Sequence, residues 1–472
     1  MLDGAGGSLL CLLTVLTPWL YGTTEEWSVR LMNVGCLSLG GIFVLVWLLD
    51  RVFAKHHLTP SGNRFSKYSS ITFLALNLLL LGFCATAYFN ARAVFSMADQ
   101  TFTYLEYNPW LPTTYDKNLT LLTFITYMGY FALFWSAWYW LARGWERALR
   151  RGRQNPTIYN NRRFRLLMWV ITVNGIVLAL QATLQRATHA EKLLWLRDSW
   201  WKDPDACFGP FSYRGNAADY FNLIWPVAFG FFTLLLKHRR SSELPHARKT
   251  EGPQLLLIPG LVLLATAPFI SLSRGGAVVA GLGFAGLACL FLLQGSFSFK
   301  AKVGFAALIA VIGIASWLIS AESFKRRIEF QKREDTGLGG REEIYTNARQ
   351  ITQEYPLFGA GPGAFRSVYH LYRTDVSQQW HAFVHDDWLE TRATFGWVGL
   401  SLAVLQLLAL VLWILSPGRG TASQIFAGCT LISLAGTLVH AKFDFPFQTY
   451  SIFFTFVLIS AIAVSGSVVK RS

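Results

Sequence analysis

The feature that most constrains this chain is the recurrence of apolar runs long enough to cross a bilayer, a length of about 20 residues. Twelve are read: Gly6–Tyr21, Leu31–Leu49, Ile71–Phe89, Leu119–Leu141, Leu166–Leu184, Ala217–Leu236, Leu255–Leu272, Gly275–Leu293, Val303–Ile319, Phe395–Leu415, Ser423–Val439 and Ser451–Val468. Composition agrees. Only 15% of the 472 residues are charged, against about 25% in a soluble domain, so much of the chain lies where charge is not tolerated. The first run is short enough to be taken for a signal peptide. It lacks the basic residues that precede one, Asp3 being the sole charge before it, so it is read as a span. The fold expected is an all-α polytopic membrane protein of about 12 transmembrane helices.

The formal net charge of +15 would suit nucleic acid until the charges are placed. Of the 42 lysines and arginines, 22 fall in the short segments after runs two, four, six, eight, ten and twelve, with only 5 of the 27 acids on that side. Basic residues in short loops orient membrane proteins with that side in the cytoplasm. The excess is therefore topological, able to hold anionic lipid but not a sign of nucleic-acid binding. Both termini are expected inside.

Three long segments face the other side: Asn90–Asn118, Gln185–Asn216 and Ser320–Thr394. The division expected is residues 1–319 with nine spans, a loop domain over 320–394, and 395–472 with three more. In the loop, Ile344, Ala348 and Ile351 share one face of a predicted helix, Arg341–Tyr355, ended by Pro356. A glycine-rich turn, Gly359–Gly363, leads to a second helical stretch from Ala364 to about Arg373. No Lys-Ser/Thr follows these glycines, so they are no nucleotide loop. Trp195, Trp200 and Trp201 read as an interfacial helix. Cys207 is the sole cysteine in an outer loop, so no outer disulfide is expected.

Three constellations put ionisable groups at the outer membrane boundary, where charge is expensive and usually functional. They are Gly209–Asn216, containing Arg214; the tight turn Ser273-Arg274-Gly275-Gly276; and His381–Gly396, containing His385, Asp386 and Asp387. Arg214 alone reads equally as a snorkelling interfacial anchor. Arg274 sits between two apolar runs with glycines beside it, which admit a backbone or a ligand closely. His381 and His385 have the i,i+4 spacing of a metal pair, but no third-ligand motif accompanies them, and no metal is expected. Asp444, in the segment His440–Phe447, reads as a partner of Lys442. A transporter or flippase would share the spans and the basic inner face. Its ionisable residues would lie near the midplane, in broken helices and repeated halves; here they cluster at the outer boundary, and no repeat is seen.

Several motifs in this order resemble the O-antigen ligase and polymerase family of bacterial envelope enzymes. They are Gly209-Pro210-Phe211 followed by Arg214, Ser273-Arg274-Gly275-Gly276, Pro356–Phe365, His385 ten residues before Gly396, and Asp444-Phe445-Pro446-Phe447. The likeness covers roughly residues 160–450. The chain departs in having Asp386 where the family often has Asn, and Tyr213 or Gly215 where it often has Asn. The resemblance implies a GT-C-like helical bundle in the bacterial inner membrane, capped by a periplasmic loop domain. It implies a glycosyltransferase needing no cofactor or metal, with an undecaprenyl-diphosphate-linked glycan as donor. The acceptor would be lipid A-core, a growing glycan or a protein hydroxyl, and the histidine-to-glycine spacing favours the ligase. It further implies Arg214 and Arg274 on the diphosphate, His385 as general base, and Asp386 or Asp387 as its orienting group, with His381 secondary.

Overall fold

In the computed structural model the chain is described over residues 2–53, 64–150, 158–199, 203–241, 257–293, 339–374, 382–417 and 421–466, with isolated positions between 299 and 314. It is a helical bundle. In order come α1 (Leu2–Trp19), α2 (Glu26–Phe53), α3 (Arg64–Phe89), α4 (Lys117–Arg150), α5 (Arg162–Ala187), α6 (Arg214–Ser241), α7 (Leu257–Ile270) and α8 (Arg274–Leu293). Then follow α9 (Gly339–Glu354), α10 (Phe365–Val368), α11 (Asp387–Ile414), α12 (Thr421–His440) and α13 (Tyr450–Ser465). Among the described residues, nine helices are long and apolar enough to cross a membrane, and α7 and α13 are shorter apolar helices. The run Val303–Ile319 lies for the most part outside the described residues. Several helices outlast the apolar runs that announced them: α4 continues to Arg150 and α6 to Ser241. Hydropathy marks only the stretch that tolerates no charge, whereas the helical hydrogen-bond ladder continues among polar residues beyond it.

The bundle is built around α6, which packs against α5, α7, α8, α12 and α13. Its apolar window is 94% buried, against 28% for α3, which leaves α3 largely at the periphery. Buried all round, α6 can carry Asn216, Asp219 and Asn222 on protein-facing sides that a lipid-facing helix would not tolerate. At the other end of the bundle, Arg163 pairs with Asp3, and Arg143 reaches Asp50 at 3.0 Å. All four residues belong to the side that the basic loops define.

A second, smaller apolar core lies at the helix ends away from the basic loops. It joins Ile344, Ala348 and Ile351 of α9 to Ala93, Tyr115, Ala364, Phe365, Tyr369, Val384 and Ala393. The segment 90–118 thus belongs with the large loop; within it Ala93–Ser96 and Thr101–Tyr104 form an antiparallel ribbon with Ala93 opposite Tyr104. The predicted helix over 341–355 is present as α9 with its apolar face inward. The second predicted stretch is shorter, α10 followed by a 3₁₀ turn at Tyr369–Leu371. The segment around Trp195 is not helical. Lys192–Leu193 pairs with Arg197–Asp198, and Leu194 and Trp195 take positive φ in the tight turn between them.

The glycines of 359–363 serve packing. A Cβ on Gly359 would lie 2.3 Å from the Thr394 carbonyl carbon, and one on Gly361 2.2 Å from Thr114 Oγ1. Gly396, at φ 64° and ψ −163°, breaks α11 at the level where this turn docks. The N–H groups freed by the break are taken up across the gap: Trp397 donates to the Pro356 carbonyl at 2.9 Å and Val398 to the Leu357 carbonyl at 3.1 Å. The spacing from His385 to Gly396 is thus the length of a short outer half-helix seated on the loop.

Candidate active site

Two Arg-Gly pairs open helices at the end of the bundle away from the basic loops. The first is Arg214-Gly215, at the start of α6. The preceding loop is shaped by Arg186, whose guanidinium donates to the carbonyls of Pro204 (3.0 Å) and Cys207 (3.0 Å), to Asp205 Oδ1 (2.6 Å) and to the Ser271 carbonyl (3.3 Å). One half-buried side chain therefore ties this loop to the turn before α8. Arg214 Nη1 donates to the Asp205 carbonyl at 3.0 Å, so this arginine is partly anchored.

The second pair is Arg274-Gly275, at the start of α8. Ser273 caps the helix, its Oγ accepting from the Gly276 N–H at 3.1 Å, as an N-cap serine does for the third helical residue. Leu272 takes φ 62° to make the turn. Gly276 lets α6 approach, since a Cβ there would meet the Ala218 Cβ at 2.2 Å. Asn222 Nδ2 closes the contact on the Gly276 carbonyl at 2.8 Å. The Arg274 side chain is exposed and makes no hydrogen bond or ion pair among the described residues.

His385 immediately precedes the cap of α11. It sits at φ 60°, in the left-handed region where histidine is tolerated better than most residues and where strain marks functional sites. Tyr345 Oη donates to its carbonyl at 3.1 Å, and its ring stands edge-on to Phe445, centroids 4.7 Å apart. Its Nδ1 lies 3.2 Å from Asp444 Oδ1. Burial pushes the Asp444 carboxyl up, but the hydrogen bond from His385 and the nearby His440, His385 and Arg341 charges outweigh it and hold the group below its ordinary range. An ionised Asp444 can only accept, so Nδ1 carries the proton that faces it, and in the neutral imidazole the lone pair is then on Nε2. Nε2 has no hydrogen-bond partner among the described residues, and the side chain is 27% exposed.

The acids expected beside this histidine are engaged elsewhere. Asp386 caps α11, accepting from the Leu389 N–H at 3.1 Å, and pairs with Lys442. Asp387 is buried and accepts from the Phe447 N–H (2.8 Å) and Gln448 Nε2 (3.2 Å), holding the segment after Asp444 in place. The assignment of Asp444 to Lys442 is corrected: Lys442 belongs to Asp386, and Asp444, turned inward, belongs to His385. His381 lies outside the described residues.

Gly215 of the first pair abuts this dyad, and Gly275 of the second abuts its neighbour His440, whose Nε2 is 4.0 Å from Asp444 Oδ2. A Cβ on Gly215 would lie 2.4 Å from Asp444 Oδ2, and one on Gly275 3.1 Å from His440 Nε2. The site therefore places a histidine–aspartate pair against the N-terminal turns of α6 and α8, each favourable to negative charge. Four participants were missed in the sequence. Arg341 of α9 donates to the Phe443 carbonyl (2.8 Å) and Tyr213 Oη (3.2 Å), and its positive charge is reinforced: burial lowers its basicity, but Tyr213 and Asp444 raise it further. Burial and the Asp444 charge push the Tyr213 hydroxyl up, keeping it a neutral donor. His440 and Asp219, paired at 2.8 Å, are both buried; an acid inside an apolar run was the available signal. Beneath Asp387, Trp388 and Gln448 an apolar cavity of about 190 Å³ descends between α3, α4, α11 and α13 to Ala403 and Ser460.

Fold and site together define a multi-pass helical membrane protein with a basic, histidine-bearing centre at one end of its bundle. Residues 259–404 match the family model described as O-antigen ligase, and this match supports the O-antigen ligase family, a class of membrane glycan-ligating enzymes. The matched segment contains Arg274, His385 and Gly396; Arg214 and Asp444 lie outside it. No curated protein matches the chain.

Proposed function

We propose that this protein transfers a glycan from an undecaprenyl-diphosphate donor to an acceptor hydroxyl at the periplasmic face, as an O-antigen ligase acting on lipid A-core. The observation that carries the reading is the His385–Asp444 dyad, with Nε2 unclaimed, beside the helix starts bearing Arg214 and Arg274. The acceptor hydroxyl oxygen attacks the anomeric carbon, and its proton passes to His385 Nε2. The bond from that carbon to the diphosphate oxygen breaks, and the electron pair leaves with undecaprenyl diphosphate. Asp444 stabilises the imidazolium that forms. The guanidinium of Arg274, with that of Arg214 where it is not tied to Asp205, offsets the charge gained by the leaving group, the role a divalent ion fills elsewhere. Direct displacement inverts the anomeric centre. The apolar cavity below Asp387 offers a prenyl chain room beside the site.

The test is reconstitution of the purified protein with an undecaprenyl-diphosphate glycan and, in separate reactions, lipid A-core, free glycan and a protein acceptor, with and without EDTA. Ligated lipid A-core, insensitive to EDTA and lost in His385→Ala by about 10²–10⁴-fold with donor affinity retained, is the expected result. Product on free glycan alone would make the protein a polymerase. EDTA inhibition reversed by one divalent ion would reject the arginine-based mechanism.

A further inference from the structure

The dyad continues inward. His440, at the end of α12, sets Nδ1 2.8 Å from Asp219 Oδ1 and faces Asp444 Oδ2 with Nε2 at 4.0 Å. Nδ1 is hydrogen-bonded to one carboxylate and Nε2 faces a second beyond hydrogen-bond distance, a setting in which two flanking negative charges favour the imidazolium. Asp219 Oδ2 has no hydrogen-bond partner among the described residues, which leaves His440 as that carboxylate's hydrogen-bonded partner. Both side chains are 1% exposed. The space they occupy is kept clear by glycines: Gly275 stands 3.1 Å, measured from an added Cβ, from His440 Nε2, and Gly215 stands 2.4 Å from Asp444 Oδ2. The charged groups around His440 are Asp219 from α6, Asp444 from the segment after α12 and, farther out, Arg341 from α9, while α8 presents the Gly275 backbone beside Arg274.

We infer that Asp219 and His440 are positioning residues for His385: together with Asp444 they form a buried Asp219–His440–Asp444–His385 series in which the charge of His440 moderates the pull of Asp444 on the proton of His385. This rests on His385 being the base. In a simple dyad, Asp444 acts on His385 with its full charge and favours the protonated, inactive imidazole. A cation on its far oxygen weakens that hold, so His385 is a free base at lower pH than it would otherwise be.

The experiment measures kcat and kcat/KM against pH for the full-length protein in nanodiscs, with a synthetic undecaprenyl-diphosphate glycan and lipid A-core, and separately the affinity for undecaprenyl diphosphate. His440→Gln removes the cation and is expected to move the acid limb of kcat/KM up by about one pH unit, the size of effect one close charge has on a neighbour. Donor affinity should stay within about twofold of wild type. Asp219→Asn keeps the shape of the side chain and is expected to move the limb the same way by less, which provides the test if His440→Gln does not accumulate. A side chain needed for folding alone would lower yield and thermal stability with the limb unmoved, and that result in either folded variant overturns the inference. His385→Ala separates the two claims. Retained turnover there rejects the base and the series with it; lost turnover with an unmoved limb in the other variants rejects the series alone.

Discussion

The two Arg-Gly pairs that open α6 and α8 are alike in sequence and differ in how they are held. Arg214 follows a loop fastened by Arg186 and gives one of its own donors to the Asp205 carbonyl. Arg274 rises from a serine-capped turn, exposed and unengaged by any described residue. Their glycines differ in the same sense: Gly215 is overlapped by a carboxylate oxygen, whereas Gly275 faces an imidazole nitrogen at a tight but tolerable distance. An arginine already satisfied by the protein contributes to shape; on the proposed function, one left unengaged is available to the ligand. The same dipeptide is thus divided into an anchoring copy and a reaching copy.

The largest expected effect is at the reaching copy. Arg274→Ala should cost about 10²–10³ in single-turnover rate, the loss of one strong donor to the departing charge, with thermal stability unchanged. Arg274→Lys should recover part of it, since charge is kept and the planar fork is not. If stability falls instead of rate, the contrast between the pairs is lost. Next comes Gly215→Ala, whose added methyl must displace Asp444 Oδ2 and the Tyr213 ring, each 2.4 Å from it. Overpacking of this kind costs about 1–3 kcal/mol, and turnover should fall as the carboxylate leaves His385; Gly275→Ala, with more room, should cost less in both. Equal losses would show that the two helix starts are equally crowded. Arg214→Ala should weaken affinity for undecaprenyl diphosphate and lower stability by about 1.5 kcal/mol, through the hydrogen bond to Asp205.

The smallest expected signal is in pH dependence. Asp444 is held below its ordinary range in the folded protein. Its contribution to stability is therefore full above the unfolded carboxylate value of about 4 and is lost as pH falls through the folded value. Thermal denaturation of wild type should show this acid decline, and Gly215→Ala, with the carboxylate displaced, should flatten it; Gly275→Ala should not.

The spans were legible because a bilayer imposes length and apolarity on contiguous residues. Arg274 and His385 were legible because charge at a membrane edge has few bland explanations. Asp444 was paired with the nearer Lys442 because sequence proximity stood in for direction. In the structure the two residues turn to opposite sides, one inward to His385 and one to Asp386. Arg341 was hidden at the start of a helix identified by its apolar face, and its partners lie 128 and 102 positions away. Gly396 was read as a spacing motif. Its physical reason, a helix break filled by the carbonyls of Pro356 and Leu357, depends on a contact between segments that no local pattern encodes.

The order of synthesis follows from where the dyad's two halves sit. His385 precedes Asp444 by 59 residues, with all of α11 and all of α12 between them. A nascent chain that has made the loop containing α9 still lacks the carboxylate that faces His385 Nδ1. It also lacks the Phe443 carbonyl that receives Arg341. The centre is completed only when the penultimate helix has been inserted and the chain has turned back toward the bundle. Until then a half-made copy in the membrane holds the histidine without its carboxylate, so on the proposed function competence to react waits for α12.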